Sequence, residues 1–268
     1  MGKVKIIAIL LPFFLFAQSY SSLGKSRIFL NSFLNLEVFP SSINGYSNFI
    51  STGSEEVRFL YKFRKDRGTS LWMREGTIYS GFNLTRGFLD LAVLGSYSHN
   101  SWGGVIALGY STPFSRLDVS GSLEDGDFRD LNLKFEREIS SQKMFGVWVN
   151  LTRDSVTALL DLMIAPTENR VFFAGIGGSS EKNISITAGG YFPVFDWLYL
   201  EISGDFVYEE DTTYVVKRWG IGVEYSDFLA EFQLDPRLMG YVPYIFTGRK
   251  VDYPPLISVS LMYRFHTF

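Results

Sequence analysis

The side chains of this sequence that can carry charge or move a proton recur in step with apolar neighbours. Arg58, Lys62, Asp118, Lys134, Glu136, Asp161, Glu201, Arg218, Glu224, Glu231 and Arg264 each sit in a stretch where polar and apolar residues alternate, as do Asp90 and Asp205. On successive strands such residues would meet in one shared interior. There they could steer ions and polar solutes through water, or neutralise one another as internal ion pairs. A different chemistry is open to the histidines, His99 and His266. His99 stands two residues before Ser101, and at strand period the two side chains share a face. An imidazole so placed could take the proton of a nucleophilic hydroxyl. The plainer reading of the same stretch is a hairpin loop rich in Asn, Ser and Gly. The acidic clusters Asp125-Gly-Asp127 and Glu209-Glu-Asp211 have donors for a divalent cation, but solvated turns account for them more simply. No metal or cofactor is implied.

Strands are the elements that must position these residues. Leu198, Leu200, Ile202 and Phe206 fall on one face of an extended segment, with Tyr199, Glu201, Ser203 and Asp205 on the other. The same period relates Val57, Phe59, Tyr61 and Phe63 to Arg58, Lys62 and Arg64. It recurs at Leu131/Leu133/Phe135, at Val156–Ile164, at Trp219–Tyr225 and at Ile257–Phe265. Between the strands lie two sets of turns. One set is charged or glycine-rich: Lys65–Gly68, Glu124–Asp127, Ser179–Asn183 and Glu209–Thr213. The other is tight, often with Pro or an aromatic: Thr85–Gly87, Thr112–Ser115, Pro193–Asp196 and Ser226-Asp227.

Composition excludes several classes. The chain has 268 residues, 46% hydrophobic and 17% aromatic, with no cysteine and a formal net charge of -3. The aromatic load excludes a disordered chain, the absent cysteine excludes a disulfide scaffold, and the charge argues against nucleic acid as a partner. A mean hydropathy of +0.09 is too low for a bundle of membrane helices.

Residues 1–19 have the features of a secretory signal peptide. Lys3 and Lys5 precede the apolar stretch Ile6–Phe16, and Ala17-Gln-Ser19 provides small residues for cleavage. Residues 20–54 are an N-terminal segment, either an extra strand pair or a piece lying in the lumen or periplasm. Residues 55–268 are the barrel domain.

Signal peptide, alternation and the closing run Leu261–Phe268 together resemble bacterial outer-membrane β-barrel proteins, of the porin-like kind. The resemblance implies an all-β, antiparallel, up-and-down transmembrane barrel in the outer membrane. The alternation gives about 14 strands from Glu55 onward, with 16 or 12 as alternatives. It further implies a channel for passive diffusion of small hydrophilic solutes or ions, lined by the charged residues above. Tyr263, Phe265 and Phe268 would form the C-terminal signal read by the barrel-assembly machinery. The other partners would be the bilayer and its outer-membrane lipids; oligomeric state is not implied. Parity places the charged turns and the 235–255 loop outside the cell and the tight turns in the periplasm.

Two alternatives belong to other classes. The His-x-Ser at His99/Ser101 is similar to that of outer-membrane phospholipases and lipid A deacylases, which would make the chain a lipid hydrolase. Both residues would then face lipid on the side of Leu91, Val93 and Tyr97. Those families often follow the serine with Asn-Gly where this chain has Trp102-Gly103, and no polar third member is evident; residue 113 is Pro. The remaining alternative is a non-conducting structural barrel or a secreted soluble all-β protein, a sandwich or propeller.

Overall fold

Strand boundaries follow residues that tolerate a reversed backbone. Glu75 and Gly76 both take positive φ, 49° and 78°, as do Asp125 and Gly126, at 50° and 91°. That is the conformation of the two-residue hairpin turn whose twist matches its flanking strands. The first of these turns divides residues 67–86 into two strands, where alternation alone reads one.

The structure, a computed structural model, describes residues 38–41, 48–53, 56–64, 66–167, 170–181, 183–209, 212–234 and 257–265. Its strands are β1 (Asn48–Thr52), β2 (Glu56–Arg64), β3 (Arg67–Arg74), β4 (Thr77–Arg86), β5 (Leu89–Ser98) and β6 (Ser101–Ser111). They continue with β7 (Ser115–Glu124), β8 (Asp127–Ser140), β9 (Lys143–Thr152), β10 (Val156–Thr167) and β11 (Arg170–Ser179). The last are β12 (Ile184–Phe195), β13 (Leu198–Glu209), β14 (Thr212–Tyr225), β15 (Phe228–Leu234) and β16 (Ile257–Phe265). Each pairs antiparallel with its neighbours in sequence, and β1 pairs with β16 to close one barrel. Closure leaves no sheet edge. A single closed sheet also replaces the alternative of a sandwich or propeller.

The barrel has 16 strands where the alternation gives 14. Both additions have local causes. The Glu75-Gly76 turn splits one segment in two. β1 is only five residues long, too short to stand out as a period. The turn split also corrects the sorting of the turns. At the end of the barrel where β1 starts and β16 stops lie the connections 87–88, 112–114, 196–197 and 226–227, the tight set. The end of β2 and the start of β3 lie there too, although the composition of Lys65–Gly68 groups that turn with the charged set. The turn at 125–126 and the ends of β11 and β13 lie at the opposite end.

Period two sorts the side chains as expected. Along β5, Leu89, Leu91, Val93 and Tyr97 are exposed on the outer face, while Asp90, Ala92 and Leu94 are buried inside. Ile106, Leu108, Leu160, Ile186, Ile202 and Phe206 continue the outer apolar face. Outer aromatics gather in pairs towards the end that holds the tight turns. Phe63–Phe82, Phe88–Tyr110, Phe135–Phe145, Phe172–Phe192 and Phe195–Trp197 have ring centroids 5.3–6.3 Å apart. Towards the opposite end, Tyr97, Trp102 and Phe128 are exposed.

The interior is not polar all round. Phe49, Leu60, Trp72 and Leu94 are buried together inside the barrel, with Tyr79, Val105 and Met262 against them. Trp72 and Tyr79 stack at 5.0 Å. Leu60 lies between the lumen candidates Arg58 and Lys62 on the same inward face of β2.

Candidate functional site: the charged inner wall and its strap

Asp118 is the centre of the polar interior. Period two turns it inward from the middle of β7, and it is completely buried. Bare burial of a carboxylate is costly, so its surroundings must compensate. Arg116 lies two residues earlier on the same face and meets it with both ends of the guanidinium fork. Nε reaches Oδ2 and Nη2 reaches Oδ1, each at 2.8 Å. Nη1 of Arg116 donates to Asp90 Oδ2 at 3.0 Å and to Ser111 Oγ at 2.9 Å. Lys134, paired in register with Asp118, places Nζ 3.5 Å from Asp118 and 3.3 Å from Glu136. Thr85 donates to the other oxygen of Asp90. Gly109, opposite Asp118 on β6, keeps the space open: a Cβ there would stand 2.7 Å from Asp118 Oδ1 and 2.8 Å from Arg116 Nη2.

A short stretch of the N-terminal segment crosses this wall from inside. Phe39, Pro40 and Ser41 are almost completely buried. Ser41 Oγ donates to Asp118 Oδ1 at 2.8 Å, and its carbonyl accepts from Asn83 Nδ2 at 3.2 Å. Phe39 packs on Trp148, and Lys134 Nζ stands 4.9 Å from the centre of its ring. Beside Val38 a cavity of about 210 Å³ opens, bordered by Asp130, Asn132, Trp148 and Asn150. Asn132 Oδ1 accepts from both Trp148 Nε1, at 3.2 Å, and Asn150 Nδ2, at 2.9 Å.

The other lumen candidates are spread around the barrel. Arg58 pairs with Glu56 at the opposite end of β2 from Lys62, whose backbone N–H donates to Asn48 Oδ1 at 2.6 Å. Asp161 is buried across from Gly175, where a Cβ would collide with its carboxylate. Glu201 and Asp205 face inward from β13, and Asp205 accepts from Thr187 at 2.8 Å. Tyr199 lies across Gly222 and reaches over it to donate to Glu231 at 3.0 Å. Arg264 pairs with Glu224 at 2.8 Å, on the inner side. Arg218 pairs through its backbone with Ser203, but its side chain lies outside the described residues. Tyr263 is exposed on the outer face, and Phe265 stacks there with Phe59 and Tyr61 at 6.1 and 6.4 Å. Phe268, His266, the segment 1–37 and the loop 235–256 lie outside the described residues.

Three participants do not stand out in the sequence: Arg116, Asn83 and Ser41. Arg116 and Asn83 carry a signal there, since each shares its strand face with a polar inward residue. Ser41 carries none, because its partners are 42 and 77 residues away.

The geometry at His99 also differs from expectation. His99 and Asn100 form the β5–β6 turn, and Ser101 pairs with Ser98 on the inward face; Tyr97 and Trp102 pair on the outer one. Ser101 Oγ lies 3.4 Å from Glu124 Oε1. The hairpin reverses at His99, so strand period does not carry across it and Ser101 does not share the face of Leu91, Val93 and Tyr97.

No protein-family model matches the chain, and no curated protein is significantly similar to it. The functional reading rests on the barrel and its contents.

Proposed function

We propose that the chain is an outer-membrane β-barrel that works as a porin-like channel for small hydrophilic solutes or ions. One observation carries the reading: a closed antiparallel sheet presents apolar side chains outward at alternate positions and gathers its charges inside. In water such a surface would drive association, whereas in hydrocarbon it is the favourable one. Closure satisfies every ladder hydrogen bond, which hydrocarbon also requires. Strands of about 10 residues, tilted by about 45°, rise about 24 Å, close to the apolar band of such barrels. The aromatic pairs near one end and Tyr97, Trp102 and Phe128 near the other suit the two interfaces. On this reading residues 1–19 are removed on export, Tyr263 and Phe265 belong to the signal for the assembly machinery, and the lipids contact the outer aromatics. The charged wall built on Asp118, Arg116 and Lys134 borders the conducting path.

A second reading, a non-conducting structural barrel, is favoured by the interior apolar cluster and by the strap of residues 38–41. Planar-bilayer recording on purified protein separates the two. Discrete steps whose ion selectivity changes in Lys134→Met support the channel. Silence from protein that shows the heat-modifiable gel shift of a folded barrel overturns it.

A further inference from the structure

We propose that Val38–Ser41 is a releasable latch: docked on the inner wall it narrows the lumen, and undocked it widens the passage along β4–β9. This inference rests on the channel reading. The latch belongs to none of the strands; it lies inside the barrel they form. Its hold includes Ser41 on Asp118, Asn83 on the Ser41 carbonyl, and Phe39 between Trp148 and Lys134, with Val38 packed beside them. No disulfide pins it, since the chain has no cysteine.

Two features make this docking reversible. The cavity beside Val38 gives the strap open volume on one flank. The docked state also leaves polar atoms of the same wall, Asn83 Oδ1 and Ser120 Oγ, buried with no hydrogen-bond partner among the described residues. Water entering on release would satisfy both. The wall itself does not need the latch for charge balance. Arg116 and Lys134 already meet Asp118 without Ser41. Release therefore exposes a ready-paired charged surface to water, as a permeation path requires.

The test is a graded series at position 41 in the full chain, each variant checked for the folded gel shift. Ser41→Thr keeps the hydroxyl that donates to Asp118, Ser41→Ala removes it, and Ser41→Asp sets two carboxylates against each other. The expected order of open fraction is Ser41→Asp above Ser41→Ala above Ser41→Thr, the last nearest the unaltered protein. The step from Thr to Ala is about tenfold, the effect of losing one hydrogen bond to a charged group. A second readout does not depend on conduction. A Ser41→Cys variant should react with a membrane-impermeant thiol reagent faster than Ser120→Cys, which lies in the wall itself. Conducting variants with equal open fractions overturn the latch and leave the channel standing. Equal labelling at the two cysteines likewise overturns the latch. Folded protein that is silent throughout the series overturns the channel reading and the latch with it.

Discussion

The barrel is filled on two sides by opposite physics. Around the closing seam, β1, β2, β3 and β5 turn Phe49, Leu60, Trp72 and Leu94 inward, and Met262 of β16 joins them. The cluster on that side is held by area removed from water and needs no exact partners, although the Arg58–Glu56 pair flanks it on β2. Across β4 to β9 the filling is made of charges and hydrogen bonds centred on Asp118. There each group is tolerable only because the others are present. The apolar side closes the barrel where its strands are shortest: β1 has five residues and β15 seven, against fourteen in β8. The charged side backs onto longer strands, and the cavity beside Val38 lies on it.

The contrast is broken most severely at Asp118. Asp118→Ala takes from half-buried Arg116 and buried Lys134 the carboxylate they share, and leaves them Asp90 and Glu136. The expected cost is about 3 kcal/mol of barrel stability, the low end for a broken buried pair. Urea titration scored by the folded gel shift would measure it. Because these groups are shielded from bulk water, added salt should not restore the loss. On the apolar side Leu60→Ala opens a cavity in the seam cluster, at about 2–5 kcal/mol by the same titration. Ion selectivity separates the two sides further. Asp118→Ala should change it, and Leu60→Ala should leave it as it was. A selectivity change from Leu60→Ala would mean that the path runs along the seam.

Legibility in the sequence divides along the same line. Which residues face inward is a local property of period two. Alternation alone therefore places Asp118, Lys134, Asp161, Glu201 and Asp205 on the inner face, and all of them are buried inside. Arg116 beside Asp118 is within reach of the same rule, being two residues away on one strand. Three things are not. The Glu75-Gly76 turn has no Asn-Gly or Asp-Gly signature, so a Glu in the left-handed region hides one strand boundary. Inward apolar residues such as Leu60 look like noise in an alternating stretch until the opposite wall is known. The strap at residues 38–41 depends on contacts across the lumen, and loop-closing partners that far apart leave no local pattern.

Arg264 provides the smallest and most diagnostic change. It pairs with Glu224 at 2.8 Å near the end of the barrel where β16 stops, and both side chains keep more than a third of their surface exposed. An ion pair so open to solvent contributes about 0–1 kcal/mol, and salt screens it. Arg264→Gln should therefore shift the urea midpoint slightly in low salt and not at all in high salt. The salt response matters more than the size. Asp118 and Arg264 face the same interior, and only their access to water differs. A salt-sensitive, minor loss at Arg264 beside a salt-insensitive, large one at Asp118 fits a wet mouth leading to a closed middle, where the strap lies. A large, salt-insensitive loss at both would make the whole interior one dry core, and the channel reading would give way to the structural barrel.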